Sequence, residues 1–230
     1  MAPVLAFLLL TYVVASIPFS VVITTMQGGE VDIRTAGSGN PGATNAARLY
    51  GWRVGGVVMA LDILKGLVPV LLARALWPEW DPFLGGVVAL VAFGSHVFPA
   101  YLELRGGKGV ATSAGGMLAL APVPTLGAAG VWTLVLLITG RSSLAALCAT
   151  VAMVGFVWWL QIYLLPLMVV LGLAIAVTHL PNIRRLAEGK EQRVIRPVRW
   201  SQEEGPALTL LDQDPAGNPL RQLDPWPVAR

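Results

Sequence analysis

The chain has 230 residues, of which 55% are hydrophobic and 13% charged, with a formal net charge of +3. A soluble domain carries roughly 25% charged residues, so this balance excludes an ordinary soluble class and points to a membrane-embedded chain. Cys148 is the only cysteine, which excludes an internal disulfide and a CxxC-type zinc site, and the basic residues fall in short loops rather than in a nucleic-acid-binding patch.

Residues 1–26 carry no charged side chain and lack the basic n-region and small-residue cleavage site of a removed signal peptide, so they are expected to form a retained first helix. Further apolar stretches run over residues 54–76, 83–102, 110–139 and 144–180. As one helix the last would exceed about 50 Å, well beyond the ~30 Å hydrocarbon core, which predicts two spans with a turn near 161–166. Pro122 and Pro124 interrupt 110–139, each removing a backbone donor, and predict two short, broken helices there. The expectation is an all-α polytopic membrane protein with about seven transmembrane helices.

Lys and Arg near span ends mark the cytoplasmic side. Arg34, Arg48 and Arg53 follow the first span, Arg105 and Lys108 the third, and Arg184, Arg185, Lys190, Arg193, Arg196 and Arg199 the last. The loop 78–81 holds Glu79 and Asp81 without Lys or Arg, although Arg74 just before it is a mild exception. With the N-terminus outside, the basic loops share the cytoplasmic face, the C-terminus included, only for an odd number of spans. Seven satisfies this and six does not; five would require 144–180 to be a single helix. Residues 1–191 are expected to be the membrane domain and 192–230, polar and Pro-containing, a flexible cytoplasmic tail.

Three polar islands interrupt the apolar pattern. In the first, residues 32–48, Gly37, Gly39 and Gly42 permit close backbone approach, Ser38, Asn40, Thr44 and Asn45 offer short hydrogen-bonding groups, and Arg48 a permanently charged fork, a combination suited to an oxyanion. The GxGxxG match in this string lacks the βαβ context of a dinucleotide site. In the second, 94–112, Gly106, Gly107 and Gly109 flank Lys108 and are expected to turn backbone N–H groups toward one anion. This is not a Walker A loop, because its first glycine is absent and Gly109 stands where Ser or Thr would hold Mg²⁺. In the third, 179–191, His179 and Asn182 are three apart and can face one way, with Arg184 and Arg185 beyond. Asp62 and Lys65, three apart inside the second span, can neutralise each other, and a structural brace and a substrate contact are both open for them.

Together, GSGNPGATN…R, GSHVFP…RGGKGVAT and H-x-x-NIRRL-x-x-G-x-E resemble the three signature loops of the PlsY-type acyl-phosphate:glycerol-3-phosphate acyltransferases, in matching order through residues 1–191. The resemblance implies a seven-helix enzyme of the bacterial inner membrane that moves a fatty acyl group from acyl phosphate to the 1-hydroxyl of sn-glycerol 3-phosphate. The products would be 1-acylglycerol 3-phosphate and phosphate, in phospholipid biosynthesis, with no cofactor and no metal. It further implies that Ser38, Arg48, Lys108 and His179 are catalytic and that Asn40, Thr44, Asn45, Gly106, Gly107, Gly109 and Asn182 bind substrate. Its expected partners are the two substrates, the lipid bilayer and a functional link to the enzyme that makes acyl phosphate. His179 and a substrate phosphate oxygen are alternative acceptors of the hydroxyl proton. Departures are Leu180 after His179 and Arg105 before Gly106, where a basic residue and Lys are usual. The competing classes are a transporter of an anionic solute, with sites near the bilayer midplane, and a lipid-binding scaffold without chemistry.

Overall fold

The computed structural model describes residues 1–28 and 31–194; of the expected tail, 195–230 lie outside the described residues. Among the described residues the regular structure is entirely helical. The first apolar run bends once. α1 (Ala2–Ala15) stops ahead of Pro18, which has no N–H to donate, and α2 (Phe19–Met26) resumes after it. The two make one 25-residue span of mean hydropathy 2.3.

The first island leads into α3 (Ala43–Tyr50), a short polar helix that Gly51, at φ 88°, turns directly into α4 (Trp52–Leu76). That positive φ favours glycine over any residue with a Cβ. α5 (Phe83–Val97) follows a turn containing Glu79 and Asp81. The run 110–139 breaks at Ala121, ahead of Pro122, into α6 (Val110–Leu120) and α7 (Pro122–Thr139), as the prolines predict. The run 144–180 likewise divides into α8 (Ser142–Leu160) and α9 (Leu165–Thr178), with the turn at Ile162–Leu164. α10 (Leu180–Ala187) is bent by 61° from the preceding helix.

Five helical stretches are long and apolar enough to cross a membrane, and the bent pair ending in α10 makes a sixth. α6 has 11 residues, roughly 16 Å, and is too short to cross alone. The expected seven is therefore reached only by counting it, because Pro122 divides its run unequally.

The segments nonetheless alternate in direction. Arg74, in the last turn of α4, donates to the Ala119 carbonyl near the end of α6 and pairs with Asp81 before α5 at 3.1 Å. This neutralises the one basic residue that departs from the loop-charge pattern. At the opposite end, Lys108 just before α6 bonds Asn182 of α10, and Thr44 of α3 lies 3.0 Å from Ser142 at the start of α8. The C-terminal ends of α5, α7 and α9 and the beginnings of α4, α6 and α8 thus gather at one end of the bundle.

Small residues let the interior helices touch backbone to backbone. A Cβ on Gly66 of α4 would fall on the Thr112 carbonyl of α6, and one on Gly115 of α6 on the Ile63 carbonyl of α4. α6 therefore meets α4 only from about Ile63 onward, some ten residues and roughly 15 Å along α4 from its start. The loop carrying Lys108 is sunk to the level of Asp62. On the outside, Leu9, Leu10, Leu64, Leu126, Leu134 and Trp159 are all exposed, an apolar surface consistent with lipid contact in an integral membrane protein. Gly115→Ala is expected to destabilise the protein by about 2 kcal/mol through overpacking against a backbone carbonyl. A thermal unfolding midpoint in detergent equal to that of the parent would contradict the helix contact.

Candidate active site

All three polar islands reach one cleft of about 610 Å³. Ser38, Asn40 and Arg34 contribute from the first, Arg105, Gly106 and Lys108 from the second, and Asn182 and Arg185 from the third. Its lining cations, Arg34, Arg105, Lys108 and Arg185, outnumber the acids Asp32 and Glu103, so the cleft attracts anions. Its lining comes from the segments that precede α3 and α6 and from the junction of α9 with α10, with Lys108 the most deeply set of the cations.

The first island is folded by Asn45, which is 1% exposed. Its amide nitrogen donates to the carbonyls of Ile33 and Ala36, both at 3.0 Å, and its oxygen accepts from the Ser38 N–H at 3.0 Å and from Arg48 at 3.1 Å. Two donors and two acceptor positions are an amide's whole capacity. Asn45 therefore presents Ser38 to the cleft while keeping nothing for a ligand. Thr44 is engaged with Ser142, and Arg48 is half-buried behind Asn45. Burial lowers the Arg48 pKa, with Glu191 opposing and Arg185 reinforcing.

The second island differs from the expected anion cradle. The Gly106 N–H donates to the Val97 carbonyl at 2.9 Å and the Gly107 N–H to the His96 carbonyl at 3.1 Å, so both are spent on the end of α5. Close packing accounts for the glycines instead: a Cβ on Gly107 would collide with the His96 ring and one on Gly109 with the Phe93 ring. What the strap delivers to the cleft is the Lys108 ammonium, which donates to the Asn182 side-chain oxygen. Thr178 at the end of α9 donates to the Lys108 carbonyl at 3.2 Å.

In the third island, His179 is 2% exposed, and its Nδ1 lies 2.8 Å from the Ile175 carbonyl, which requires the proton on that nitrogen. His179 is not among the cleft-lining residues. Asn182 faces Lys108 on one side and donates to Glu191 at 2.6 Å on the other. Glu191, absent from the predicted site, is its hub: it also accepts from Ser143 at 2.6 Å and from Arg185 at 2.7 Å. Burial raises its pKa, but the hydrogen bonds from Ser143, Asn182 and Arg185 outweigh this and leave it below the ordinary value. Its signs in the sequence are its place as the closing acid of the third motif and the basic run before it. Arg34 and Arg105, which the loop-charge pattern includes without assigning them to the site, also line the cleft.

Known proteins resemble this arrangement over most of the chain. Residues 5–189 match the family described as glycerol-3-phosphate acyltransferase. A glycerol-3-phosphate acyltransferase of Myxococcus xanthus is 42% identical over 190 residues, covering 82% of this chain and 98% of the relative. One of Solidesulfovibrio magneticus is 39% identical over 188 residues, covering 81% and 93%. The crystal structure of PlsY, an integral membrane glycerol 3-phosphate acyltransferase, in its glycerol 3-phosphate form superposes with a TM-score of 0.78 at 35% identity, covering 83% of this chain and 95% of that one. Its lysophosphatidic acid form gives 0.76 at 34% identity, with the same coverage.

Burial pushes the Lys108 pKa down to about 8, with Glu191 opposing and Arg185 and Arg48 reinforcing. An anion that engages the ammonium raises that pKa, so its binding is strongest below it and weakens, by up to about tenfold per pH unit, above it. Sulfate keeps its charge over this range. Calorimetric titration of sulfate is expected to show that fall between roughly pH 8 and 10 in the parent and a flat profile in Lys108→Arg, because arginine stays protonated. The same slope in both proteins would assign the titration to another group.

Proposed function

The chain belongs to the glycerol-3-phosphate acyltransferase family, and from that membership we propose that it transfers a fatty acyl group from an acyl phosphate to the 1-hydroxyl of sn-glycerol 3-phosphate. The products are 1-acylglycerol 3-phosphate and inorganic phosphate, and the setting is phospholipid synthesis at the bacterial inner membrane. The cleft and its basic rim face the cytoplasm. The observation that carries this reading is the convergence of all three islands on one cationic cleft at the end of an apolar bundle. Water-soluble glycerol 3-phosphate reaches such a cleft from the aqueous side, while an acyl chain stays in contact with apolar helix faces, where each buried CH₂ contributes about 0.8 kcal/mol.

An acyl phosphate is a mixed anhydride with phosphate as its leaving group, so transfer needs no acyl-enzyme. The glycerol hydroxyl oxygen bonds to the acyl carbonyl carbon, the carbon–oxygen bond to phosphate breaks, and the hydroxyl proton passes to phosphate oxygen. The protein must bring two anions together and stabilise the charge that develops between them. Lys108 and Arg185 neutralise phosphate within the cleft, Arg34 and Arg105 do so at its mouth, and Ser38 and Asn182 orient the reactants. A phosphate oxygen of the substrate accepts the proton. His179, its Nδ1 committed to Ile175 and its ring outside the lining, holds the junction of α9 and α10.

Asn45 and Arg48 act from behind, as a frame for Ser38. Gly106, Gly107 and Gly109 act as a strap for Lys108.

Purified protein given glycerol 3-phosphate with acyl phosphate, acyl-CoA or acyl carrier protein separately is expected to form product with acyl phosphate alone. Lys108→Met is expected to lower kcat/KM by about 10²-fold or more, the scale for losing a group that stabilises developing charge. Equal turnover with acyl-CoA would remove the donor assignment. An unchanged kcat/KM in Lys108→Met would remove the cleft as the place of reaction.

A further inference from the structure

Four segments meet around charges buried inside the bundle. Asp62 and Lys65 of α4, 2% and 6% exposed, pair at 2.9 Å, and His96 of α5, 8% exposed, sets its Nδ1 3.6 Å from the same Asp62 carboxylate. Lys65 also donates to the Ile17 carbonyl at 3.2 Å, in the bend between α1 and α2, and stands 5.6 Å over the Phe19 ring. A cavity of about 10 Å³ is lined by Asp62, Lys65 and His96 together with Gly106 and Gly107. The His96 ring touches the place a Gly107 side chain would occupy, and the His96 carbonyl accepts the Gly107 N–H at 3.1 Å.

None of Asp62, Lys65 and His96 lines the anion cleft. Buried ion pairs add little net stability, and well-packed apolar residues would serve a helix interface at least as well. Directional groups do what apolar ones do not: they fix one register among α4, α5 and the bend of the first span. The element pressed against that register is the strap whose next residue is Lys108. An error there is transmitted directly to the ammonium, and a misplacement of about 1 Å at a binding group costs on the order of 10²-fold in rate.

We infer that Asp62, Lys65 and His96 form a positioning device that presses on the Gly106–Gly107 strap and sets the height of Lys108 in the cleft. The inference rests on the function proposed above in so far as it is read through turnover. None of the three touches substrate. His96 bears on the strap, Asp62 faces the His96 ring across 3.6 Å, and Lys65 balances Asp62 and ties it to the first span.

The atoms that a Gly107 side chain would meet all belong to the His96 ring, so the contact is separable by a double-mutant cycle. His96→Ala is expected to raise the KM for glycerol 3-phosphate about tenfold while lowering kcat less than about threefold. It is also expected to move the alkaline limb of binding upward from about 8, because a loosened strap lets water reach Lys108. Gly107→Ala alone is expected to raise KM at least as far through its clash. In the double variant the methyl occupies the space the ring vacates, and KM is expected to return to within about threefold of the parent. Additive effects, or a limb that stays in place, would overturn the positioning role. Should single variants fail to fold, Asp62→Asn with Lys65→Met removes both charges together, and the same limb shift is expected from sulfate titration. Sulfate binding reads the strap without turnover, so a parent that binds sulfate but makes no product refutes the acyltransferase reading alone. A parent with full activity and an additive cycle refutes the positioning device alone.

Discussion

The candidate site depends on one carboxylate held at the edge of an apolar bundle. Glu191 lies beyond the last helix, yet it gathers Ser143 from α8 and Asn182 and Arg185 from α10, and Asn182 passes the connection on to Lys108. Three separate stretches of sequence are thereby joined through a single negative charge surrounded by donors. Without that acid, Arg185, Lys108 and Arg48 would repel one another across a small, partly dry space where like charges interact strongly. The cluster is arranged around excess positive charge that Glu191 compensates only in part, which leaves the cleft receptive to a second, diffusible anion.

The helices were legible because hydrocarbon imposes a length. A run of 37 residues at 144–180 could not be one span, and the turn fell at Ile162–Leu164. Pro122 broke the next-longest run at the preceding residue, where a missing donor and ring clash act locally. The short reach of α6 was less legible, since its depth is set by Gly66 and Gly115 allowing contact with the backbone of α4. Long-range packing of that kind leaves no periodic trace. The same reason hid Glu191, whose partner Ser143 lies 48 positions away.

The three islands meet at one cleft, but the division of labour within them is not readable from residue type. Asn45 has the chemistry of a ligand and, with all its hydrogen-bonding capacity used internally, the geometry of a keystone. Glycines beside a lysine suggest free N–H groups; here those of Gly106 and Gly107 close a short pairing with residues 96 and 97. Composition tells which groups are present. It does not tell which of them the protein has already consumed.

That consumption has a common logic at the bilayer edge. A polar group sunk between helices must be satisfied internally or meet a ligand, because water reaches it poorly. Asn45 and the strap glycines are satisfied, so they supply rigidity. Ser38 and Arg105 are exposed on the cleft, and Lys108 reaches it from a partly buried strap held by one hydrogen bond to Asn182. A ligand carrying oxyanions can take over that bond without disturbing the frame, because Asn182 stays anchored to Glu191 through its other end. The arrangement therefore separates the groups whose hydrogen bonds hold shape from those, Lys108 foremost, whose partners an oxyanion can replace.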